Sequence, residues 1–332
     1  MVNVLVFGAT GHIGEALCHS LIQSGSHRVF GLARNPAKAN QLARGEIIPI
    51  LGSLSDVAGL VNAVYKVHIN VIVDVSSAKD DIPVFLQALV ASERKRLAAA
   101  SAAQLKTPKL GFIYTSGTWV HGSSHVPKND LYPVGLPEAP HQAPQLLSWR
   151  PVLEREVLAA SEVLDTMVIR PALVYGRSCE IWTSYFDTIS KAASSGASSV
   201  SVSLNPNSRP ALVHVDDVGS GLHAAVNKLP LISGTGVYPV FDLLASKEGM
   251  HDIMVAAARE IGFKGEVVLS GTGGDLFSEA MTVSGNLSSG RAKELLGWQP
   301  KRPGLVECMD QVAGAWLAHM NDPNAAGRYI KA

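Results

Sequence analysis

Residues 2–14 read VNVLVFGATGHIG. A short Val-rich run, Val2 to Phe7, breaks into Gly8, Gly11 and Gly14. A helical pattern carrying Ala16, Leu17, Leu21 and Ile22 then runs to about Gly25. This order of strand, tight glycine turn and helix constrains the fold more than any other feature of the chain. Glycines let the backbone turn sharply and approach a pyrophosphate closely, while the helix N-terminus offers free N–H groups and a partial positive charge. Glycine spacing gains meaning from the strand before it and the helix after it. It predicts a dinucleotide cradle made of Gly8, Thr10, Gly11, His12, Ile13 and Gly14. The competing reading is a tight turn that binds nothing.

The same alternation continues. Apolar runs at 28–32, 47–51, 70–75, 110–115 and 166–170 are separated by helical patterns at 36–44, 56–66 (with Ser55 as N-cap), 81–106 and 151–164. Strands alternating with helices at this spacing predict an α/β fold, a Rossmann-type doubly wound parallel sheet covered on both faces. Beyond Pro171 the alternation loosens. A helix over about 181–195, short strands at 200–204 and 211–214, and helices at 215–227, about 252–261 and 305–320 predict a smaller, interleaved C-terminal substrate lobe. The expected division is a dinucleotide-binding domain of 1–175 plus about 211–240, with a substrate lobe of about 176–210 and 241–332.

The chain has 332 residues, 47% of them hydrophobic and 17% charged, so it can bury a large core. Lys+Arg and Asp+Glu are both 28, which speaks against a nucleic-acid footprint. No apolar run reaches the ~18–20 residues that span a bilayer, and no charged segment precedes the first strand. Cys18, Cys179 and Cys308 are scattered, without CxxC or metal-ligand spacing, and read as reduced thiols. The expectation is a cytoplasmic globular protein with no membrane partner and no metal.

An NAD-preferring enzyme usually carries Asp or Glu at the end of the second strand to hold the ribose 2′-OH. Here the segment is Gly31-Leu32-Ala33-Arg34. Arg34 is placed to pair with a 2′-phosphate, with Lys38 as a second cation, so NADP is expected over NAD. The competing reading of Arg34 is a solvated loop charge.

Taken together, these segments resemble the extended short-chain dehydrogenase/reductase superfamily, its epimerase/dehydratase-like branch. GATGHIG is similar to that family's TGxxGxxG. Gly52-Ser53-Leu54 resembles its third-strand GDL, with Ser53 replacing the acid. Asp74 to Ala78 occupies the fourth-strand segment, and Tyr114 to Gly122 (YTSGTWVHG) resembles SSxxVYG. Arg170 to Gly176 (RPALVYG) resembles RPxxVYG, Val213 to Val218 (VHVDDV) resembles HVDDVA, and Ser289 to Pro300 (SGRAKELLGWQP) resembles SKARELGWxP. The resemblance covers nearly all of the chain. It implies that Ser53 and Leu54 approach the adenine, that Ser76 and Ser77 line the cofactor, and that Pro171, Ala172 and Val174 close on the nicotinamide.

The family's chemistry depends on Tyr-x-x-x-Lys at the head of the helix after the fifth strand, where Lys lowers the Tyr pKa for acid/base work. The residues four beyond the tyrosines here are Ile69, Thr118, Leu136, Cys179, Ile189 and Asp242, and Tyr329 has none left, so the motif is absent. The helix expected to carry it reads Ser148-Trp149-Arg150-Pro151-Val152-Leu153-Glu154. The position of the family's hydroxyl falls on Gly117, flanked by Ser116 and Thr118.

Three readings follow. One is an oxidoreductase on a small organic substrate whose acid/base group is Ser116, Thr118, His121 or Tyr175, with Tyr132 in the loop as a further candidate. Another is a non-catalytic NADP-binding sensor resembling nitrogen-metabolite-repressor-like proteins. The third is a non-redox isomerase, lyase or cyclase. The first is preferred. For His121 and Tyr175 the competing reading is packing within their loops. Trp119, Trp149 and Trp182, expected near the cleft, suggest an apolar or aromatic substrate, and ordinary packing is the alternative. The proline-rich 117–148 stretch reads as a lid. Helices 81–106 and 151–164 correspond to the pair that proteins of the resembled family often use for a two-fold dimer, which makes a homodimer an expectation from the resemblance, although Glu93-Arg94-Lys95-Arg96 reads as a solvated face.

Overall fold

The structure is a computed structural model that describes residues 1–178 and 180–320. Cys179, one of the thiols read as reduced, lies outside the described residues; Cys18 and Cys308 are buried and free. The strands are β1 (Val2–Phe7), β2 (His27–Ala33), β3 (Ile48–Leu51), β4 (Val71–Asp74), β5 (Leu110–Thr115), β6 (Ser124–Lys128), β7 (Leu164–Pro171), β8 (Leu173–Tyr175), β9 (Ser199–Val202), β10 (Ala211–His214), β11 (Val240–Leu243), β12 (Ser246–Lys247), β13 (Glu266–Leu269) and β14 (Gly285–Leu287). The helices are α1 (His12–Gln23), α2 (Pro36–Arg44), α3 (Val57–Lys66), α4 (Asp81–Ala102), α5 (Arg150–Ala159), α6 (Thr183–Ser195), α7 (Val215–Ile232), α8 (Met250–Ile261), α9 (Leu276–Met281) and α10 (Met309–Met320).

Seven strands make one sheet in the order β11-β7-β5-β4-β1-β2-β3. Every neighbouring pair in it is parallel. The central strands explain why. All of β4 (VIVD) and β5 (LGFIYT) is buried, as a strand covered on both faces requires. One face packs against α1 and α7 through Leu17, Leu21, Leu222 and Val226. The other packs against α3, α4 and α5 through Leu60, Phe85, Leu89 and Val157. Helices α1 and α7 approach so closely that a Cβ on Gly219 would stand 2.7 Å from the Ala16 carbonyl carbon. No helix among the described residues is long and apolar enough to cross a membrane.

The second lobe has its own core, with Trp182, Phe186, Met254, Met309 and Trp316 at its centre. Small sheets frame it: β8-β10-β12, β9-β13 and β6-β14. The chain passes repeatedly between the two bodies. β11 returns to complete the large sheet, whereas β8 and β10 pair with each other outside it. Asp217 fastens the C-terminal segment to α7. Its carboxylate accepts the amides of Lys301 (2.8 Å) and Arg302 (3.0 Å), and its carbonyl accepts the Trp298 indole N–H (2.9 Å).

Several local expectations shift. Asp56, not Ser55, caps α3, accepting from the Gly59 amide at 3.1 Å, because Ser55 turns to the Ser53 hydroxyl. Helix α4 stops at Ala102, where Gln104 takes a positive φ of 55°. Helix α5 ends at Ala159 in a 3-10 turn, since Leu164 is already paired in the sheet. Helix α7 continues past Asn227 and through Pro230, and ends at Ile232, two residues beyond that proline. The final helix starts at Met309 rather than about 305.

Candidate functional site

The sheet changes direction between β1 and β4: from β1 the chain moves on to β2 and β3, while β4, β5 and β7 lie on its other side. Open α/β sheets bind ligands in the crevice at such a switch point. The glycine turn stands there. Gly8 has φ +80, and a Cβ on it would meet the Ser76 Cα and the Val75 carbonyl oxygen at 2.9 Å. A Cβ on Gly14 would stand 2.0 Å from the Gly8 carbonyl oxygen. The turn is closed by the Gly11 amide on the Gly8 carbonyl at 2.9 Å, and Gly11 caps α1 with no side chain in the way. This chain has therefore built a turn that only glycine fits at the mouth of a crevice.

Thr10, inside the turn, accepts a hydrogen bond from Lys38 Nζ at 3.0 Å. Asn35 caps α2 by accepting the Lys38 amide, which fixes that residue. Arg34 is exposed at the end of β2. Two cations thus flank the turn where an NAD-preferring site has a carboxylate. Ser53 and Leu54 follow β3, with Leu54 buried. Ser76 is bound to Asp74 through its amide (2.9 Å) and its hydroxyl (2.6 Å), and Ser77 has φ 56.

His12 reaches across the crevice: its Nε2 lies 2.9 Å from the Gly176 carbonyl. Gly176, at φ +99, leaves no room for a Cβ, which would sit 2.2 Å from His214 Nε2. The glycine turn, the loop after β8 and the start of α7 are thus joined through one residue. Burial pushes the His214 pKa down to about 4 and also lowers that of His12. Burial works against charge on Asp216, but Arg302 (2.6 Å) and Arg177 (2.7 Å) outweigh it and hold its carboxyl below the usual range.

The other end of the crevice lies at the tips of β5 and β7. Ser116 is buried; its amide donates to the Ile169 carbonyl at 2.8 Å, and its Oγ has no partner among the described residues. Thr118 is buried in a 3-10 turn that includes His121. His121 Nε2 is 2.8 Å from Asp242 Oδ2, in a pair with almost no exposure. Asp242 belongs to a buried network in which Arg170 forms a bidentate pair with Glu154 (3.0 and 2.6 Å), and Asp130 accepts from Arg291 (2.8 Å) and from the Asp242 amide (3.3 Å). Tyr175 donates its hydroxyl to the Pro303 carbonyl and packs edge-on against His214. Burial pushes its pKa up. Pro171 ends β7, Ala172 is buried, and Val174 accepts the Trp182 indole N–H at 2.9 Å. Trp182 is therefore a core residue, not a wall of the cleft, whereas Trp119 and Trp149 are only partly buried.

Two residues outside the expected set stand at this end. Arg150, the first residue of α5, donates to the Thr115 carbonyl at 3.2 Å, approaches the Tyr114 hydroxyl at 3.5 Å and stacks over Trp149 at 4.8 Å. Asp74, at the tip of β4 and directly across from Tyr114, is buried. Burial raises its pKa, while the Ser76 hydrogen bonds and the Arg150 charge pull the other way. Arg150 was legible as the cation at the head of the helix that carries Tyr-x-x-x-Lys in the resembled family; Asp74 was legible only as part of the fourth-strand segment.

The model of the NAD dependent epimerase/dehydratase family matches residues 4–238. The chain belongs to that family. Solved structures of other proteins share the architecture over nearly the whole length. The Bacillus anthracis dTDP-glucose 4,6-dehydratase, solved with NAD, is 15% identical, with a TM-score of 0.68 over 99% of this chain and 100% of that one. The Thermotoga maritima UDP-glucose 4-epimerase, solved with UDP-glucose, is 19% identical, with a TM-score of 0.67 over 96% and 100%. The Thermus thermophilus UDP-glucose 4-epimerase, solved with NAD, is 15% identical, with a TM-score of 0.68 over 95% and 99%. At such identities the likeness establishes the fold alone. Among curated proteins, none matches the sequence. The doubly wound fold of this family member agrees with the expectation from its sequence.

Proposed function

We propose that this family member is an NADP(H)-dependent oxidoreductase acting on a small organic molecule of apolar or aromatic character. The observation that carries the reading is the Lys38 ammonium held on the Thr10 hydroxyl inside the glycine turn, beside Arg34. A 2′-phosphate would meet two cations there and no carboxylate. A bound nicotinamide dinucleotide supplies hydride exchange; the chain's own residues bind, orient and move protons. Gly8, Gly11 and Gly14 admit the pyrophosphate to the main chain, and the α1 N-terminus faces it with free amides. Pro171, Ala172 and Val174 wall the nicotinamide end.

For proton movement the Ser116 hydroxyl is the strongest of the expected groups, since its Oγ has no partner among the described residues, whereas His121 is engaged by Asp242 and Tyr175 by Pro303. Arg150 is a positioning residue that brings a permanent positive charge to the tips of β4 and β5. Trp119 and Trp149 offer the aromatic surface.

The test is a titration with NADPH and NADH followed by intrinsic fluorescence, then incubation of the NADPH complex with a panel of carbonyl compounds. NADPH is expected to bind about 10-fold or more tighter, and Lys38→Ala with Arg34→Ala to erase the difference. Equal affinities in the unmodified protein reject the NADP reading. Binding without consumption of NADPH favours the sensor, a reading supported by the missing Tyr-x-x-x-Lys.

A further inference from the structure

His27 opens β2 and His223 lies in α7, 196 residues apart in sequence. They meet at the end of the sheet where β1 and β2 begin, opposite the glycine turn. Their Nε2 atoms are 3.3 Å apart, and the rings stand edge to face with centroids 5.1 Å apart. The outer nitrogen of His223, Nδ1, is 3.0 Å from the Ser20 hydroxyl on α1. The outer nitrogen of His27, Nδ1, is buried with no geometric hydrogen bond among the described residues, the Asn227 side chain being the polar group that acts on the ring. The groups facing the pair are Ser20 on α1, Asn227 one turn further along α7, and the chain's N-terminal amine near His27. No carboxylate pairs with either ring among the described residues.

With no acid to charge them, and with burial lowering both pKa values, the two rings are neutral near pH 7 and share one hydrogen bond. The same arrangement satisfies a second chemistry. Two bonds of about 2.0–2.1 Å from one ion to imidazole nitrogens, at a tetrahedral angle, place those nitrogens about 3.3–3.4 Å apart. The pair already has that bite. A histidine ligand is normally oriented by a hydrogen bond from its other nitrogen, which is how Ser20 holds His223.

We propose that His27 and His223 form a binding site for a borderline divalent transition-metal ion, Zn²⁺ being the reference case, held through both Nε2 atoms with water completing the shell. On binding, the proton that one ring carries on Nε2 moves through solvent to its Nδ1, so that both Nε2 lone pairs face the ion. Among the described residues no group of three or more His, Cys, Asp or Glu converges on a metal, so the site has two protein ligands and is weaker than a structural zinc centre. Imidazole suits Zn, Cu and Ni ions alike. An ion here ties the start of β2 to the middle of α7, two turns beyond His214, Asp216 and Asp217. This inference does not depend on the proposed activity.

The experiment uses the untagged full-length protein. Zn²⁺ is titrated by calorimetry at pH 7.5 and again at pH 5.5, and Co²⁺ is titrated by visible absorption. One equivalent is expected, weakened at least ~10-fold by His27→Gln or His223→Gln, and weaker at pH 5.5 than at pH 7.5 as protons compete for the imidazoles. Ser20→Ala, which leaves both ligands in place, should weaken binding by roughly 10-fold. Should the histidine variants fail to fold, carbethoxylation of the unmodified protein serves instead: Zn²⁺ must protect His27 and His223 selectively. No stoichiometric binding, binding unaltered in both histidine variants, or protection that falls on other histidines would overturn the site.

Discussion

The two ends of the crevice are built on different principles. At the glycine turn, geometry is fixed by the main chain: Gly8 and Gly14 have no room for a side chain, and the turn needs no side-chain partner to hold its shape. At the tips of β4, β5 and β7, geometry is fixed by buried charge. Glu154, Arg170, Asp242 and His121 hold one another across three elements and one loop, and the Arg150 charge acts on the buried Asp74 beside them. The first end is local in sequence and tolerates no substitution inward. The second is assembled from distant parts, so side-chain identity there can change while the fold survives. A family member can therefore keep its dinucleotide turn and lose its usual catalytic pair.

The sharpest way to break this contrast is at Gly14. Gly14→Ala places a Cβ against the Gly8 carbonyl, and is expected to abolish NADPH binding, by more than ~100-fold in Kd if the protein still folds; a thermal-shift titration reads both stability and binding. Retention of near-normal affinity would mean that the turn does not cradle the dinucleotide. Next in size is the buried network. Glu154→Gln leaves Arg170 buried with half its partner, and should cost about 3–5 kcal/mol in urea unfolding. A loss under ~1 kcal/mol would mean that the charges are not mutually dependent.

Ser116→Ala should lower turnover of any substrate found by ~10²-fold while leaving NADPH affinity unchanged. An unchanged rate would move the proton chemistry to another residue. The smallest effect concerns Lys128, which is buried, donates to the His121 carbonyl at 2.8 Å and faces the Tyr132 ring at 5.2 Å. Burial pushes its pKa down to about 8. The unfolded chain then holds the proton more tightly between about pH 8 and the ordinary lysine pKa near 10.4, so the penalty is fully present below pH 8 and fades as pH rises. Lys128→Met should therefore stabilise the protein at pH 7 by roughly 1–3 kcal/mol, an advantage that shrinks by pH 10. A destabilised variant at pH 7 would show that the bond to His121 outweighs desolvation.

The same contrast governs what could be read in advance. Gly8, Gly11 and Gly14 were legible because a turn imposes its demand within a few residues, and Arg34 and Lys38 because they follow the second strand at a fixed distance. Strand and helix alternation carried the sheet for the same reason. Local competition misplaced the α3 cap by one residue, since Ser55 and Asp56 are both able to cap and only the Ser53 hydroxyl decides between them. The Asp74–Tyr114–Arg150 grouping could not be read, because three separate segments meet only when β4 and β5 pair and α5 packs on them. The pairing of His121 with Asp242 was hidden too, as no spacing rule joins residues 121 apart. Trp182 illustrates the converse: position in a functional segment suggested a cleft wall, but its indole is spent on the Val174 carbonyl inside the second core.

Asp217 has a bearing on how the molecule can be divided. Its carboxylate and carbonyl pin Trp298, Lys301 and Arg302 from the far end of the chain onto the helix that backs the glycine turn. A fragment truncated before Trp298 would strand that acid without its amide donors, on the helix against which Ala16 is packed. The nucleotide half is thus not a detachable module: its integrity is underwritten by residues translated some three hundred positions later.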